Sequence, residues 1–138
     1  MPLSKPLPVL SPERVRRVPR SFAWIDHRLR SEGILERLRP EEIGLYLFLA
    51  LAADRQGLSC WRLDRIQRAI PCFDRQTLWD ARKRLCEHDL IAYRPWRPGD
   101  ADGSYQMLSV ETPRNTLSPE LRQMLESVFQ KMPEVPPR

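Results

Sequence analysis

Cysteine and histidine are scarce in this chain of 138 residues, which contains three cysteines and two histidines. The cysteines form no CxxC pair, and an odd number does not fit a disulfide framework, so their usage favours a reducing compartment. No apolar run approaches the roughly 18 residues that a membrane span needs. The first 20 residues lack the apolar segment of a secretory signal. These deficits predict a small, soluble, cytoplasmic protein.

Motifs for catalysis are also missing from the sequence. It contains no HExxH, GxSxG, P-loop or GxGxxG pattern, which are the short signatures of common enzyme classes. The spacing of Cys60, Cys72, Cys86 and His88 fits no zinc-binding arrangement. We therefore expect a protein without enzymatic activity, metal or cofactor. The three cysteines are expected to fill small spaces in the core.

Arginine dominates the positive charge, because only three of the 23 basic residues are lysines. The net charge of +5 is concentrated in two segments, residues 1–40 with +5 and residues 75–98 with +3. Arginine binds phosphate through a planar fork, so this distribution favours a polyanionic partner. A GC-rich genome would produce the same bias without any function, and the composition alone does not separate the two explanations.

Residues 1–20 contain five of the 14 prolines and four arginines. Proline resists helix formation, so this segment is predicted to be an extended basic arm, with room for one helical turn at Ser11–Arg14. Arg16 and Arg17 are predicted to lie in a DNA minor groove, as basic arms do. The alternative is a solubilising tail.

The segment from residue 21 to residue 112 shows the pattern of one folded domain. A short helix is expected around residues 31–38. Pro40 begins a longer helix that is expected to end near Gly57, and apolar residues on all its sides predict that it lies at the centre of the core. Leu58–Trp61 is predicted as a short strand or a capped turn, followed by an amphipathic helix of about ten residues that ends before Pro71.

A second amphipathic helix is predicted from Arg75 to about Glu87, with Asp74 as its N-cap. Residues 90–93 and 104–110 are predicted as strands joined by a loop rich in proline and glycine. Two helices joined by a tight turn and followed by a β-hairpin form a winged helix-turn-helix. The predicted fold is therefore mainly α with a small β-hairpin wing, plus a C-terminal amphipathic helix.

The helix after Asp74 is the predicted DNA-binding element. At about 100° per residue, Leu78, Ala81 and Leu85 face the core. Gln76, Asp80 and Lys83 then point outward, and the flanking positions are Arg75, Thr77, Trp79 and Arg84. An α-helix fits the major groove and contacts base edges through its N-terminal residues. The predicted contacts on this helix are Arg75, Gln76, Thr77, Trp79, Lys83 and Arg84.

Three residues of this helix have alternative interpretations. Trp79 either stacks on a sugar or packs under the wing, and packing is favoured. Arg82 lies near the buried edge, so it either flanks the core or contacts DNA. Asp80 would repel phosphate, and it either accepts a hydrogen bond from cytosine or forms an ion pair with Lys83 or Arg84.

The hairpin loop contributes Arg94 and Arg97, which are predicted to contact phosphate. Asp100 and Asp102 lie in the same loop and are expected to make its tip nearly neutral. The loop therefore either contacts DNA through these arginines or is too close to neutral to do so.

The residues from Glu42 to Tyr93 resemble a family of prokaryotic winged-helix domains found in replication-initiation proteins of plasmids and phages and in small regulators of mobile elements. That family shows a helix, an A-D-x-x-G turn, an S-x-x-T-hydrophobic-x-x-A segment and a later L-x-x-x-G-L-I. The matching positions are Ala53, Asp54, Gly57, Thr77, Leu78, Ala81, Leu85, Leu90 and Ile91. The resemblance implies DNA binding through Arg75, Gln76 and Thr77. Asp80 and Asp89, which replaces a glycine, depart from the pattern.

Residues 113–138 are predicted to contain a further helix beginning near Ser118. Its apolar stripe is Leu121, Met124, Leu125, Val128 and Phe129. Winged-helix regulators dimerise through such terminal helices, so the stripe predicts a homodimer. The alternative is packing within the same chain.

These features together predict a non-catalytic protein that binds double-stranded DNA. Its predicted role is a transcription regulator or an accessory factor for replication or transposition, on a bacterial chromosome or a mobile element. The alternative is an interaction adaptor that uses the same fold to dock a partner enzyme. The near-neutral wing and Asp80 favour the adaptor, whereas the basic segment around Arg75 favours DNA.

Overall fold

The computed structural model describes residues 6–111, together with Glu120, residues 123–124 and residues 127–128. The chain divides into two units, Met1–Leu108 and Ser109–Arg138. In the described part, the first unit is a mixed α/β structure with four α-helices and a three-stranded antiparallel sheet. The helices are α1 (Arg28–Ser31), α2 (Pro40–Ala52), α3 (Leu63–Ala69) and α4 (Arg75–Glu87).

The sheet consists of β1 (Leu58–Trp61), β2 (Ile91–Pro95) and β3 (Gly103–Met107). Its strand order is β1-β3-β2, so the last strand in the sequence lies between the other two. Tyr105 of β3 pairs with Ser59 on one side and Tyr93 on the other. The β2–β3 hairpin is therefore extended on its β3 side by the short strand that follows α2.

The core of the first unit lies between α2, α3, α4 and the sheet. Helix α4 contacts α2, α3 and β2, which makes it the element that joins the helices to the hairpin. The most deeply buried side chains include Leu45, Leu49, Leu63, Ile66, Leu78, Ala81, Leu85, Ile91 and Tyr105.

The predictions for α4 are confirmed. The helix spans Arg75–Glu87, and Asp74 precedes it with its side chain accepting from the backbone N–H of Thr77. Leu78, Ala81 and Leu85 are fully buried, at 0% exposed. The spacing of apolar residues at three and four positions therefore identified the core face of this helix correctly.

The prediction that α2 is buried on all sides is wrong. Ile43, Leu47 and Leu51 are 40%, 47% and 67% exposed. Positions i, i+4 and i+8 share one helix face, and this face is left open because α4 and the sheet pack on the rest of the helix. The only fully buried acidic residue among those described is Glu42, whose Oε2 accepts from the backbone N–H of Arg39 at 3.1 Å. Its Oε1 lies 3.5 Å from His88 Nε2.

Gly57 does not cap α2 as predicted, because the helix ends at Ala52. The glycine belongs to the turn that leads into β1, where Asp54 Oδ1 accepts from the backbone N–H groups of Gln56 and Leu58. Gly57 has φ +85°, and a Cβ there would lie 2.9 Å from the carbonyl oxygen of Met107. Both the left-handed conformation and the close approach of β3 require glycine.

Two smaller predictions are also wrong. The short helix expected around residues 31–38 is α1 followed by a separate 3-10 turn at Leu35–Arg37, because Gly33 interrupts it at φ +71°. The cysteines do not fill the core, since Cys60 and Cys72 are exposed and Cys86 is half-buried. Burial raises the pKa of the Cys86 thiol.

Helix α4 ends in a Schellman motif built on a non-glycine residue. The backbone N–H of Asp89 donates to the carbonyl of Cys86 at 3.0 Å, and that of Leu90 donates to Leu85 at 3.1 Å. These two bonds satisfy carbonyls that a helix end leaves free. Asp89 has φ +60° and is the only described non-glycine residue with positive φ, so an aspartate occupies the left-handed position of this turn without disrupting it.

Replacing Asp89 by glycine is expected to raise the free energy of unfolding by up to about 1 kcal/mol, because glycine has no Cβ that opposes the left-handed conformation. Chemical denaturation followed by circular dichroism measures this change. Asp89→Ala is the matched comparison and is expected to lower stability. Equal effects of the two substitutions would contradict the assignment of strain to this residue.

In the second unit, the described residues Glu120, 123–124 and 127–128 are helical, and Ser127 Oγ donates to the carbonyl of Met124 at 2.8 Å. Met124 and Val128 are 60% and 49% exposed. The side chains of Leu121, Leu125 and Phe129 lie outside the described residues. The predicted homodimer through this stripe therefore stays a prediction.

Candidate nucleic-acid interface

The N-terminus of α4 presents polar side chains to solvent from a fixed position. Asp74 Oδ1 accepts from the backbone N–H of Thr77 at 2.7 Å, which fixes the first turn and lowers the pKa of the Asp74 carboxyl. Arg75 and Gln76 are exposed, and Thr77 is half-buried. The first turn can therefore offer a guanidinium fork and an amide to a ligand without rearrangement of the backbone.

Asp80 lies one turn after Gln76, and the two side chains are hydrogen bonded. Gln76 Nε2 donates to Asp80 Oδ1 at 3.2 Å. The expected ion pair of Asp80 with Lys83 or Arg84 is not formed in the described part of the chain. Lys83 is exposed and Arg84 is half-buried, so two cations flank the acidic position without neutralising it directly.

Trp79 and Arg82 connect α4 with the hairpin. The guanidinium of Arg82 lies 4.5 Å from the centroid of the Trp79 ring and 3.8 Å from that of Tyr93. Arg82 is only 6% exposed, whereas Trp79 is 36% exposed. Arg82 therefore flanks the core, and Trp79 packs against it beside β2.

A groove of about 500 Å³ lies between α4 and β2, lined by Trp79, Arg82, Lys83, Cys86, Glu87 and Tyr93. Its walls combine aromatic rings with charged groups of both signs. Burial raises the pKa of Tyr93, with the positive charge of Arg82 acting in the opposite direction. The Tyr93 hydroxyl consequently remains protonated at neutral pH and serves as a donor.

The charged side chains at the β2–β3 hairpin do not all lie at its tip. Asp102 Oδ1 accepts from the backbone N–H of Leu63 at 2.8 Å, at the start of α3, and its side chain is 25% exposed. Arg97 is exposed in the loop, as is Trp96 at 52%. Arg94 is also exposed, but it lies on β2 and not in the loop as predicted. Asp102 stabilises the N-terminus of α3, and the near-neutral charge of the loop tip stays a prediction.

The basic arm contains a 3-10 turn at Pro12–Arg14, within the segment where one helical turn was expected. Arg16 and Arg17 are exposed. Within residues 6–111 neither side chain has a hydrogen bond or an ion pair to the rest of the protein, so both guanidinium groups are available to a ligand.

The sequence analysis did not identify three further exposed side chains that are cationic or aromatic. Arg65 and Arg68 are exposed on α3, and their spacing opposite the buried Leu63 and Ile66 was the signal that could have identified them. Trp96 was missed because a tryptophan in a loop gives no periodicity.

No protein-family model, curated protein or solved structure matches this chain. None of the helices in the described ranges has the length and apolar character to cross a membrane. We therefore infer function from the geometry of α4, the hairpin and the charges between them.

Proposed function

We propose that residues 21–112 form a winged helix-turn-helix domain that binds double-stranded DNA, with α4 in the major groove. The order of elements supports this fold, because α2 is followed by β1, α3, α4 and the β2–β3 hairpin. The placement of β3 between β1 and β2 also supports it, and so do the hydrogen bonds that join the hairpin loop to α3 and α4, because a wing lies beside the helix pair.

The observation that carries the proposal is the division of α4 into two sides. One side is held in the core by Leu78 and Leu85, which are fully buried. The opposite side leaves Arg75, Gln76 and Lys83 exposed. The B-DNA major groove, about 12 Å wide, accepts an α-helix presented in this way.

Each exposed polar group has a defined part in the proposal. Arg75 donates to guanine, Gln76 binds adenine through its amide, and Thr77 contacts phosphate. Lys83, Arg84, Arg94 and Arg97 supply further phosphate contacts, and Trp79 forms one wall of the groove beside them. Arg16 and Arg17 follow an adjacent minor groove. The protein then acts without catalysis as a transcription regulator or as an accessory factor in replication or transposition.

One observation favours the alternative adaptor function. Gln76 is engaged by Asp80, and Glu87 lies in the groove beside Lys83, so acidic groups interrupt the basic face of α4. Base contact by Gln76 requires this hydrogen bond to open. An adaptor would use the same mixed charges to bind a partner protein.

The test is a titration of fluorescently labelled random duplex at several salt concentrations, read by anisotropy. Each phosphate contact contributes about −0.9 to the slope of log affinity against log salt. Charge reversal at Arg75 and Lys83 together is therefore expected to reduce the magnitude of the slope by about 1, through the lost phosphate contact of Lys83, and to weaken binding further through the lost guanine contact of Arg75. The control reverses the exposed Arg30 and Arg37, which gives the same net charge away from α4.

Equal slopes in the wild type and both variants would refute DNA binding through α4, and salt-independent weak binding throughout would favour the adaptor. Where DNA binds, selection from a random library separates base contacts from phosphate contacts. Gln76→Ala is expected to relax the preference at one base position by about 1–3 kcal/mol while leaving the salt slope unchanged.

A further inference from the structure

Arg82 is buried on α4, and it contacts the two strands of the hairpin as well as the loop between them. Its Nη1 donates to the carbonyl of Ala101 at 2.8 Å and to the Tyr105 hydroxyl at 3.3 Å. The guanidinium carbon of Arg82 lies over the Trp79 ring and over the Tyr93 ring. A single side chain of α4 thus contacts β2, β3 and the loop that joins them.

Three consecutive loop residues are each held by a different element. The Tyr93 hydroxyl donates to the carbonyl of Asp100 at 2.8 Å, Arg82 binds the carbonyl of Ala101, and Asp102 accepts from the backbone of α3. The bond to Ala101 is the one that originates from α4. It therefore determines where the loop lies relative to the proposed DNA-binding helix.

The chemistry of this contact is specific to arginine. In the described part of the chain no carboxylate forms an ion pair with Arg82, so its charge is met by a carbonyl dipole, a hydroxyl and two ring faces. A planar guanidinium can stack and donate at the same time, whereas the ammonium of lysine is a compact charge that cannot fill the space between two rings.

We infer that Arg82 is a positioning residue, which holds the β2–β3 loop against α4 so that Arg97 of this loop is preorganised to bind a DNA phosphate. The inference rests on the proposed DNA-binding function. Arg82 itself does not contact DNA. Its effect on affinity passes through Arg97 and not through Arg94, which lies on β2 and is held by pairing with Ser104 of β3, because a phosphate contact from an unanchored loop must first order that loop.

The first test compares Arg82→Lys with the wild type for the loop alone. The backbone N–H of Trp96 donates to the carbonyl of Asp102 at 3.1 Å across the loop, and hydrogen exchange of this amide reports whether the loop stays closed. Arg82→Lys is expected to speed this exchange at least tenfold and to leave the Leu85 amide in α4 unchanged. Tyr93→Phe, which removes only the bond to Asp100, is expected to give a smaller change in the same direction. Unchanged exchange in both variants would overturn the inference, whether or not DNA binds.

The second test is a double-mutant cycle on DNA affinity. In the wild-type background, Arg97→Gln is expected to reduce the magnitude of the salt slope by about 1 and to weaken binding. In the Arg82→Lys background the same substitution is expected to have little further effect. Arg75→Gln serves as the control, because it should weaken binding by the same factor in both backgrounds.

The outcomes of this cycle distinguish the inference from the proposed function. Equal losses from Arg97→Gln in both backgrounds would overturn the positioning role of Arg82. No loss in either background would also overturn it, and a persistent effect of Arg75→Gln would then leave DNA binding by α4 standing. If no variant and no wild-type protein binds DNA, the proposed function fails, and the exchange experiment alone decides whether Arg82 holds the loop.

Discussion

Replacing Leu78 with alanine is expected to lower the free energy of unfolding by about 2–5 kcal/mol. Leu78 is fully buried on the core side of α4, the helix that contacts α2, α3 and β2. Removal of its branched end leaves a cavity that these elements cannot close without losing their other contacts. Urea unfolding followed by circular dichroism measures the loss.

The matched control is Leu51→Ala, which deletes the same atoms from a side chain that is 67% exposed. Its expected effect is within about 0.5 kcal/mol of zero, as for most surface substitutions. Comparable losses at the two positions would mean that the exposed face of α2 is covered in solution or that α4 is not packed as described.

Gly103→Ala is expected to destabilise the protein by about 3 kcal/mol, toward the upper end for overpacking. A Cβ at this position would clash with the backbone oxygen of Arg94 and would lie 2.8 Å from Tyr93 Cε2 and 2.9 Å from Pro95 Cα. Two of these three neighbours are backbone atoms of the paired strand, so they cannot move without separation of β2 from β3. Thermal unfolding monitored by circular dichroism provides the measurement.

Gly99→Asn is the comparison for this prediction. Gly99 has φ +78° with nothing within 4 Å of a Cβ, and asparagine tolerates the left-handed region better than other residues. A nearly unchanged melting temperature is expected for this variant. If Gly103→Ala were equally mild, the close approach of the two strands would be wrong.

A helix was predicted with correct bounds where its N-cap residue and its apolar spacing indicated the same segment. Asp74, the apolar spacing of Leu78, Ala81 and Leu85, and the following turn all pointed to the same helix, and its bounds are correct. The strand order was not available from local patterns, because pairing of β1 with β3 brings together residues that are distant in the chain. The length of α3 was overestimated, since the helix ends at Ala69.

Burial of charged groups was the main feature that the sequence did not show. Nothing in the sequence indicated that Glu42 would be buried, yet its side chain is fully buried. Asp102 was expected at the loop surface, yet it binds the start of α3. In both cases the partner lies on a different element or is a backbone group, and neither kind of partner leaves a pattern in the sequence.

The sequence predicted which α4 residues of the candidate interface are exposed, but it did not predict the contacts between their side chains. Exposed positions on α4 followed from helical periodicity, and their exposure in the structure agrees. Periodicity carries no information on hydrogen bonds between exposed side chains, so the bond of Gln76 to Asp80 was missed. It also could not decide between the two roles considered for Arg82, which depend on where the hairpin lies.

The stacked side chains of Trp79, Arg82 and Tyr93 also constrain how this chain can diverge. Loss of either ring would uncover a buried guanidinium that has no ion-pair partner among the described residues, and loss of the guanidinium would leave the Ala101 carbonyl without its donor. Single substitutions are therefore costly at each position. Descendants of this sequence should retain the trio intact or exchange it together.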